Sequence, residues 1–367
     1  MSVLTFFKNK KVLITGHTGF KGSWLSLWLI NKGAKLFGIS NGIPNQPSLF
    51  ETLNLSSSME HLLFDIRESE RLKKEIKRIK PDFVFHMAAQ SIVSLSYKDP
   101  LETVSTNVIG TANLLEALTH IDKKCVSIII TSDKCYKNKE WIWGYREIDE
   151  LGGKDIYSGS KAAAEIIFNS FFHSLYNKKL PNNRLATVRA GNVIGGGDWA
   201  MDRIVPDCMR AWSNNEKVQI RNPEATRPWQ YVLDSLSGYI ILAHKLWQGK
   251  KFNGESFNFC PQAENNVTVR DLLNMLSTNW GFKQPDDSYI ITGCRFKESG
   301  LLRLNCDKAL SLLNWRPTLN LQESVEFTNE WYLKFYNTEM NMLDLSIQQI
   351  KKYEKKADQM KIEWAIR

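Results

Sequence analysis

Short apolar runs alternate with longer amphipathic runs along the first half of the chain. The apolar runs are rich in Val, Ile, Leu and Phe, as buried strands are, and the runs between them have helical spacing. The predicted strands lie at residues 12–15, 33–39, 62–66, 82–90, 126–132 and 185–189. The predicted helices lie at residues 23–30, about 68–79, about 101–120 and 157 to about 176. Since this alternation requires crossover connections, it predicts an α/β fold, a Rossmann-type doubly wound parallel sheet.

The last third of the chain has a different pattern. Its segments are shorter, and polar or Pro- and Gly-rich stretches join them near 191–230, 261–266 and 281–300. We therefore expect a smaller mixed lobe that caps the carboxyl edge of the sheet. The predicted division is a sheet domain at 1–190 with a returning segment at about 231–260, a lobe at 191–230 and 261–340, and a C-terminal helical extension at 341–367.

Composition narrows the class of protein. The 367 residues are 43% hydrophobic and 24% charged, as in a globular protein with a large core. The net charge of +9 is spread along the chain without an arginine-rich block, so neither a nucleic acid nor a membrane surface is the expected partner. No apolar run has the length of a membrane span and no signal-peptide core precedes the first strand, so we expect a cytoplasmic protein.

Six cysteines are scattered along the chain. They form no C-x-x-C pair and have no histidine at metal-ligand spacing, so we expect free thiols in a reducing compartment and no metal site. They lie at positions 125, 135, 208, 260, 294 and 306.

Three glycines join the first strand to the first helix. Gly16, Gly19 and Gly22 have the spacing G-x-x-G-x-x-G. Such a turn leaves backbone N–H groups open at the positive end of a helix dipole, which is a pyrophosphate site. The motif alone is weak, and a glycine-rich turn without function is the alternative. The strand before it and the helix after it favour a dinucleotide site.

The second predicted strand ends without the acidic residue that usually binds the ribose of NAD. Ser40, Asn41 and Gly42 stand there, and no arginine is present to bind the 2′-phosphate of NADP. We therefore expect NAD that is weakly held and exchanges with solvent. Asp65, at the end of the third predicted strand, is in a position to reach an adenine amino group.

Tyr157 and Lys161 stand four residues apart at the start of a predicted helix, so they share one face. An ammonium beside a phenol is expected to lower the phenol pKa, which would make the tyrosine a base near neutral pH. A surface aromatic–lysine pair is the alternative for an isolated motif. The position after a strand that ends in Thr131 and Ser132 favours catalysis.

These features together resemble the extended form of the short-chain dehydrogenase/reductase superfamily over nearly the whole chain. The resemblance is carried by the glycine turn at 16–22, His86-Met-Ala-Ala, Asn107, Ser132, Tyr157-x-x-x-Lys161 and Arg227-Pro-Trp-Gln-Tyr-Val. It implies that Ser132 binds the reacting oxygen, Tyr157 moves its proton, and Lys161 tunes Tyr157 and holds the nicotinamide ribose. The NAD contacts that it implies are Gly16, Thr18, Gly19, Phe20, Lys21, Gly22, Asp65, Ile66, Ala88, Tyr157 and Lys161.

Asp133 and Lys134 follow Ser132 directly. A simple epimerase or reductase does not need this additional acid and base, but a sugar-nucleotide 4,6-dehydratase does. Related dTDP-glucose and GDP-mannose dehydratases use Glu where this chain has Lys134, and lysine there is a feature of the CDP-glucose 4,6-dehydratase subgroup. The chain resembles that subgroup at 16–25, 47–51, 131–136, 191–200, 202–207, 304–309 and 315–317. An adjacent surface ion pair is the alternative explanation.

The reaction that this resemblance implies has three steps. Hydride leaves C4 for NAD while Tyr157 takes the hydroxyl proton. Lys134 then removes the C5 proton while Asp133 protonates the leaving 6-hydroxyl, and hydride returns to C6. The product is CDP-4-keto-6-deoxyglucose. One departure from the family is Ile156, which precedes the tyrosine where proline is usual; we expect it to change the stiffness of the loop and not its chemistry.

The substrate contacts and the oligomeric state follow from the same resemblance. Asn192 and Arg227 are assigned to the sugar-nucleotide diphosphate, and Arg203 is a weaker candidate, because arginine clamps phosphate oxygens. Structural salt bridges are the alternative role for both arginines. The helices predicted at 101–120 and 157–176 are the family's usual dimer interface, so we expect a homodimer.

Two other functions stay open from the sequence. One is a related 4,6-dehydratase or a 4-epimerase that acts on another nucleotide sugar. The other is a non-catalytic nucleotide-binding or regulatory member of the superfamily, which the intact set of Ser132, Tyr157 and Lys161 argues against.

Overall fold

A seven-stranded parallel sheet organises the chain in the computed structural model, which describes residues 3–180, 182–261, 267–292 and 300–366. The strands are β1 (Lys11–Thr15), β2 (Lys35–Ser40), β3 (Glu60–Leu63), β4 (Phe83–His86), β5 (Cys125–Ile130), β6 (Asn183–Ala190), β7 (Val193–Ile194), β8 (Val218–Ile220), β9 (Thr226–Arg227), β10 (Gln230–Tyr231), β11 (Ser256–Phe259), β12 (Val267–Thr268) and β13 (Tyr289–Ile291). The spatial order of the large sheet is β3-β2-β1-β4-β5-β6-β11, so the winding reverses between β1 and β4. The predicted doubly wound fold is confirmed.

Helices cover both faces of this sheet. They are α1 (Phe20–Asn31), α2 (Leu49–Thr52), α3 (Ser69–Ile79), α4 (Val93–Lys98), α5 (Pro100–Val104), α6 (Gly110–Leu118), α7 (Ile156–Phe171), α8 (Asn177–Lys179), α9 (Ile204–Ser213), α10 (Val232–Gln248), α11 (Val269–Trp280), α12 (Asp307–Leu313), α13 (Leu321–Asn337) and α14 (Met342–Gln359). In β1 the side chains alternate between two cores: Val12 and Ile14 pack in the core with α1 and α10, whereas Leu13 packs in the core with α3 and α6. A strand buried on both faces explains the continuous apolar run.

The third strand ends earlier than predicted. It covers Glu60–Leu63, so the prediction of a strand at 62–66 that ends on Asp65 is wrong. The Asp65 carboxylate accepts hydrogen bonds from the backbone N–H and the side chain of Arg67, at 2.8 and 3.0 Å. An aspartate that binds the backbone two residues on forms a turn, which takes the chain out of the strand.

Two long helices each contain a π-helical turn. Residues 105–109 join α5 to α6, and residues 172–176 join α7 to α8, so the predicted helices at 101–120 and 157–176 are present as continuous helical segments. Asn107 lies inside the first π-helical turn. Such turns occur often at functional sites because they redirect a side chain.

The second half of the chain returns to the sheet before it leaves it again. β11 pairs in parallel with β6 and follows helix α10, which is buried along almost its whole length. The remaining strands form three small pairs, β7 with β10, β9 with β12 and β8 with β13. Helix α14 packs back against α1, where the Trp28 indole donates to Glu354 at 2.7 Å.

Within the residues that the structure describes, no helix is long and apolar enough to cross a membrane. The same part of the chain holds no group of three or more His, Cys, Asp or Glu residues that could hold a metal ion. Cys125, Cys135, Cys208, Cys260 and Cys306 are free thiols, and Cys294 lies outside the described residues.

One buried carboxyl joins helix α10 to the C-terminal segments. Asp234 accepts hydrogen bonds from the Thr318 backbone N–H at 2.6 Å and from the Tyr353 hydroxyl at 2.8 Å. Burial nevertheless raises the pKa of Asp234 to about 7. The folded state therefore holds this proton at pH values where the unfolded chain has lost it, so the stability that the group contributes falls as the pH rises from about 4 to about 7.

Replacement of Asp234 by asparagine should remove this pH dependence. We expect the stability of the Asp234→Asn variant relative to the unchanged protein to rise by about 2 kcal/mol between about pH 5 and about pH 8. Chemical unfolding at the two pH values measures it. Asp344→Asn, an exposed residue in the first turn of α14, is the control. An equal pH dependence in both variants would contradict the assignment.

Candidate active site

The glycine turn after β1 is packed too tightly for a side chain at Gly16 or at Gly22. A Cβ atom on Gly16 would lie 2.7 Å from the Ala88 backbone nitrogen, and one on Gly22 would lie 2.3 Å from the Gly16 carbonyl oxygen. Gly16 also has a φ of 73°, and Gly19 is the N-cap of α1. The amino end of α1 is therefore brought against the carboxyl ends of β1 and β4, with its backbone N–H groups at a site suited to a phosphate.

Three further residues that are predicted to contact NAD lie in this turn or at the start of α1. The Thr18 hydroxyl lies 2.7 Å from the Ser40 hydroxyl and donates to the Gly42 carbonyl at 2.7 Å. Phe20 opens α1. Lys21 donates to the Tyr239 hydroxyl at 2.7 Å, and burial and the nearby Arg203 lower its pKa to about 7.

The carboxyl end of β5 carries the predicted acid and base. The Ser132 hydroxyl donates to the Asp133 carboxylate at 2.8 Å, and the Lys134 ammonium lies 3.5 Å from the same oxygen. The Asp133 side chain is 1% exposed whereas that of Lys134 is 32% exposed. The second Asp133 oxygen is buried and has no hydrogen-bond partner within the part of the chain that the structure describes. A buried, half-paired carboxylate beside an accessible lysine is not a surface ion pair.

Tyr157 and Lys161 lie on the first two turns of α7 and are both buried. Burial raises the pKa of Tyr157 to about 12, although a hydrogen bond with Ser132 works to lower it. Burial lowers the pKa of Lys161 to about 8. The predicted lowering of the tyrosine pKa is therefore wrong for the ligand-free protein, because loss of water around the phenol outweighs the nearby positive charges.

The start of α7 is fixed without the proline that the family usually has. The Asp155 side chain accepts a hydrogen bond from the Ser158 backbone N–H at 2.9 Å, which caps the helix. Ile156 is the first helical residue and is 40% exposed. An aspartate cap thus supplies the helix start for which proline at the first position is otherwise favoured.

Asn107 connects α7 to the segment that follows β4. Its amide donates to the Gln90 carbonyl at 3.0 Å and to the Ser160 hydroxyl at 2.9 Å, and it accepts from the Gln90 backbone N–H at 2.8 Å. Ser160 in turn donates to the Tyr157 carbonyl at 2.7 Å. The π-helical turn in which Asn107 lies aims this amide at both partners.

A second connection lies below the glycine turn. Thr15 and His86 end the neighbouring strands β1 and β4, and their side chains are 2.7 Å apart. The other nitrogen of His86 lies 3.1 Å from Thr111. Burial lowers the pKa of His86 to about 3, so the ring is neutral and acts as a structural link.

The three predicted substrate residues have different surroundings. Arg203 donates to Asp198 at 2.9 Å and to the Ser91 hydroxyl at 3.1 Å, and its charge lowers the pKa of Lys21. Arg227 lies on β9 and donates to the carbonyls of Thr226 and Gly300, at 2.9 and 3.4 Å.

The Asn192 side chain has a buried oxygen, Oδ1, with no hydrogen-bond partner among the described residues. Its backbone carbonyl accepts a hydrogen bond from the Gln230 N–H at 2.9 Å. A buried amide oxygen without a partner leaves a site for a donor on a ligand.

Asp65 and Ile66, two residues that are predicted to contact NAD, follow strand β3. Asp65 is paired with Arg67 through both carboxylate oxygens, and this pairing lowers its pKa. Ile66 is buried against α6, where a Cβ atom on Gly110 would lie 2.4 Å from it.

The glycine turn, residues 132–134 and the start of α7 together line a cleft. The sequence interpretation missed several residues of this cleft. Asp198 orients Arg203, Gln90 and Ser160 receive the Asn107 amide, and Tyr239 binds Lys21. Asp198 was visible as the acidic residue of a glycine-rich motif, but Tyr239 lies more than two hundred residues from Lys21 and had no local signal.

Comparisons with known proteins agree with this geometry. The sequence model of the family described as GDP-mannose 4,6 dehydratase matches residues 13–328. A CDP-glucose 4,6-dehydratase of Salmonella typhimurium is 46% identical over 353 residues, which are 95% of this chain and 97% of that protein. The chain therefore belongs to the GDP-mannose 4,6-dehydratase family.

Solved structures share the fold. A UDP-glucose 4-epimerase of Thermotoga maritima, solved with UDP-glucose, has a TM-score of 0.77 at 23% identity and covers 89% of this chain and 99% of its own. A dTDP-glucose 4,6-dehydratase of Streptomyces venezuelae, solved with NAD, has a TM-score of 0.77 at 19% identity and covers 88% of this chain and 97% of its own.

Proposed function

We propose that this protein dehydrates CDP-D-glucose to CDP-4-keto-6-deoxy-D-glucose with NAD as its cofactor. The observation that carries the proposal is the placement of Asp133 and Lys134 beside Ser132, in the cleft that also holds Tyr157 and Lys161. The identity to the Salmonella typhimurium CDP-glucose 4,6-dehydratase supports the substrate.

The residues around the glycine turn fit NAD. The close contacts of Gly16 and Gly22 leave the backbone as the lining of the site, as a pyrophosphate requires. NAD would supply the hydride acceptor at C4 and the donor at C6. Thr18 uses its hydroxyl to bind Ser40 and Gly42, where an acidic residue would otherwise bind the ribose, so we expect the cofactor to exchange with solvent.

Tyr157 and Ser132 are the groups that handle the C4 hydroxyl in this proposal. Ser132 binds the oxygen and Tyr157 receives its proton, with Lys161 holding the nicotinamide ribose. Since burial raises the pKa of Tyr157 to about 12, the phenol must lose its proton before it can act as the base. A positive charge brought by the ligands would favour the phenolate.

Lys134 and Asp133 are the groups that eliminate water. Transfer of one proton from the Lys134 ammonium to the Asp133 carboxylate, whose atoms lie 3.5 Å apart, gives a neutral amine and a carboxylic acid. The accessible Lys134 amine then takes the C5 proton, and the Asp133 carboxylic acid gives its proton to the leaving 6-hydroxyl. The second Asp133 oxygen supports this role, because it is buried and has no hydrogen-bond partner among the described residues.

The substrate diphosphate is assigned to Asn192, Arg203 and Arg227. The cleft contains Lys21, Lys161 and Arg203; the charges of Arg203 and Lys161 help to lower the pKa of Lys21, and Asp133 is the opposing charge. Such an excess of positive charge favours a substrate with two phosphate groups.

The wider organisation follows the same proposal. Residues 1–190 with about 231–260 form the NAD-binding domain, residues 191–230 with 261–340 form the sugar-nucleotide lobe, and 341–367 form a helical extension.

The protein is cytoplasmic and works as a homodimer. Apolar side chains on α5 to α7 support the dimer, because Leu101 is 79% exposed and Ile166 is 54% exposed.

Turnover in deuterated water tests the reaction and the substrate together. Given CDP-, dTDP-, GDP- and UDP-sugars with NAD, the protein should remove water from CDP-glucose alone and add one deuterium at C5, as read by mass spectrometry. Dehydration of another nucleotide sugar would support the proposed reaction and contradict the proposed substrate. A new epimer without loss of water would contradict the roles of Asp133 and Lys134.

Lys134→Met tests the base. We expect C5 deuterium exchange to fall by at least about 100-fold, because the group that takes the proton is gone, while NADH absorbance still appears. Lys137→Met, which removes a nearby exposed lysine paired with Glu150, is the control and should keep full exchange. Loss of the NADH signal together with exchange would show that Lys134 is not specific to the C5 step.

Ile166→Glu tests the dimer. Sedimentation equilibrium should show a dimer for the unchanged protein and a monomer for this variant, because a carboxylate cannot be buried there without a partner. The control is Ile148→Glu, at a side chain that is 84% exposed on the segment between β5 and α7. A monomeric unchanged protein would overturn the assignment.

A further inference from the structure

A buried carboxylate lies behind the proposed catalytic residues. Glu165 follows Lys161 by four residues on α7, so the two share a face, and it is fully buried. Its two oxygens bind Nε and Nη2 of Arg189, each at 2.9 Å. Two parallel hydrogen bonds to one guanidinium are the geometry in which a buried ion pair offsets its loss of hydration.

The other partners of Glu165 come from three neighbouring strands or the residues next to them. Thr131, at the carboxyl end of β5, donates to one oxygen at 2.5 Å. Thr187 on β6 donates to the other at 2.8 Å, and Ser256 on β11 does so at 3.4 Å. Because Thr131 precedes Ser132 directly, this carboxylate ties the start of the proposed catalytic segment to the helix that carries Tyr157.

Arg189 continues the connection to the end of the same segment. Its Nη1 atom donates to the Tyr136 hydroxyl at 2.7 Å, and its guanidinium lies 4.9 Å from the centre of the Tyr136 ring. Tyr136 in turn donates to Asn258 at 2.8 Å. Asp133 and Lys134 thus lie on a short segment that is fixed at both ends by one ion pair.

The charge of Glu165 also acts on Lys161. Burial lowers the pKa of Lys161, and Cys135 and Glu165 oppose that effect. Burial raises the pKa of Cys135 well above its usual value, so this thiol is neutral near pH 7. Burial works to raise the pKa of Glu165, but Arg189 holds it below its usual range, so Glu165 is the anion that keeps Lys161 charged.

We infer that Glu165, held by Arg189, is a positioning residue for the reaction: it keeps Lys161 as an ammonium and holds the segment 132–136 against helix α7. The name of the reaction rests on the proposed function, whereas the effect on Lys161 does not. Neither residue contacts the substrate in this assignment.

Three variants separate charge from geometry. Glu165→Gln removes the charge, Glu165→Gln with Arg189→Met removes both charges and leaves no unpaired guanidinium, and Glu165→Asp keeps the charge but shortens its reach. Glu116→Gln, at an exposed glutamate on α6 that is paired with Lys73 and His120, is the control. Lysine Cε signals recorded by NMR over a pH series give the pKa of Lys161 in the ligand-free protein, and Lys161→Met identifies its signal.

The two charge-free variants, Glu165→Gln alone and Glu165→Gln with Arg189→Met, should change the pKa of Lys161. We expect its pKa to fall by about one unit in both, and the pH at which kcat begins to fall at high pH to move down by the same amount. Glu165→Asp should leave the pKa of Lys161 unchanged and lower kcat by about tenfold at every pH. Glu116→Gln should change neither quantity.

An unchanged pKa of Lys161 in the folded double variant would overturn the inference. So would a Glu165→Asp variant that matches the unchanged protein in kcat while both charge-free variants keep its pH profile. If the unchanged protein turned over no nucleotide sugar but the Lys161 shift were present, the proposed function would fail and the electrostatic part of this inference would stand.

Discussion

A fully buried ion pair, Glu165 with Arg189, holds helix α7 against three neighbouring strands, β5, β6 and β11. Such a pair is stable only when its hydrogen bonds are complete, and removal of one partner costs about 3–5 kcal/mol because it leaves a buried charge. Ser132 and Asp133 on one side and Tyr157 and Lys161 on the other take their relative positions from this contact. The cleft therefore depends on residues that do not line it.

The opposite side of the cleft depends on the absence of side chains. Gly16 and Gly22 allow α1 to approach β1 and β4 so closely that no Cβ atom fits. The helix dipole and the cations Lys21, Lys161 and Arg203 then act on one region, with the buried Asp133 as the opposing charge. Steric and electrostatic requirements for a ligand with phosphate groups are met by the same arrangement.

Sequence reasoning succeeded where the signal was local. The strand–helix alternation, the glycine turn, the segment Ser132 to Lys134 and the spacing of Tyr157 and Lys161 are all short-range patterns, and the structure places them at one edge of the sheet. Sequence reasoning failed where a property depends on burial in the folded protein. The pKa of Tyr157 rises because the phenol is desolvated, and no spacing reveals that. The third strand ended early because the Asp65 side chain formed a turn.

The sequence by itself determined the fold class, and it supplied the candidate residues for the dinucleotide site and for the chemistry, because each pattern lies in neighbouring positions whose spacing the backbone geometry enforces. Only the tertiary structure decided which distant groups act on them. Arg189 reaches Glu165 and Tyr136, Tyr239 reaches Lys21, and Asp198 orients Arg203 through contacts made when strands and helices pack together. Burial and charge at a site are properties of that packing, and they set the protonation states on which the chemistry depends.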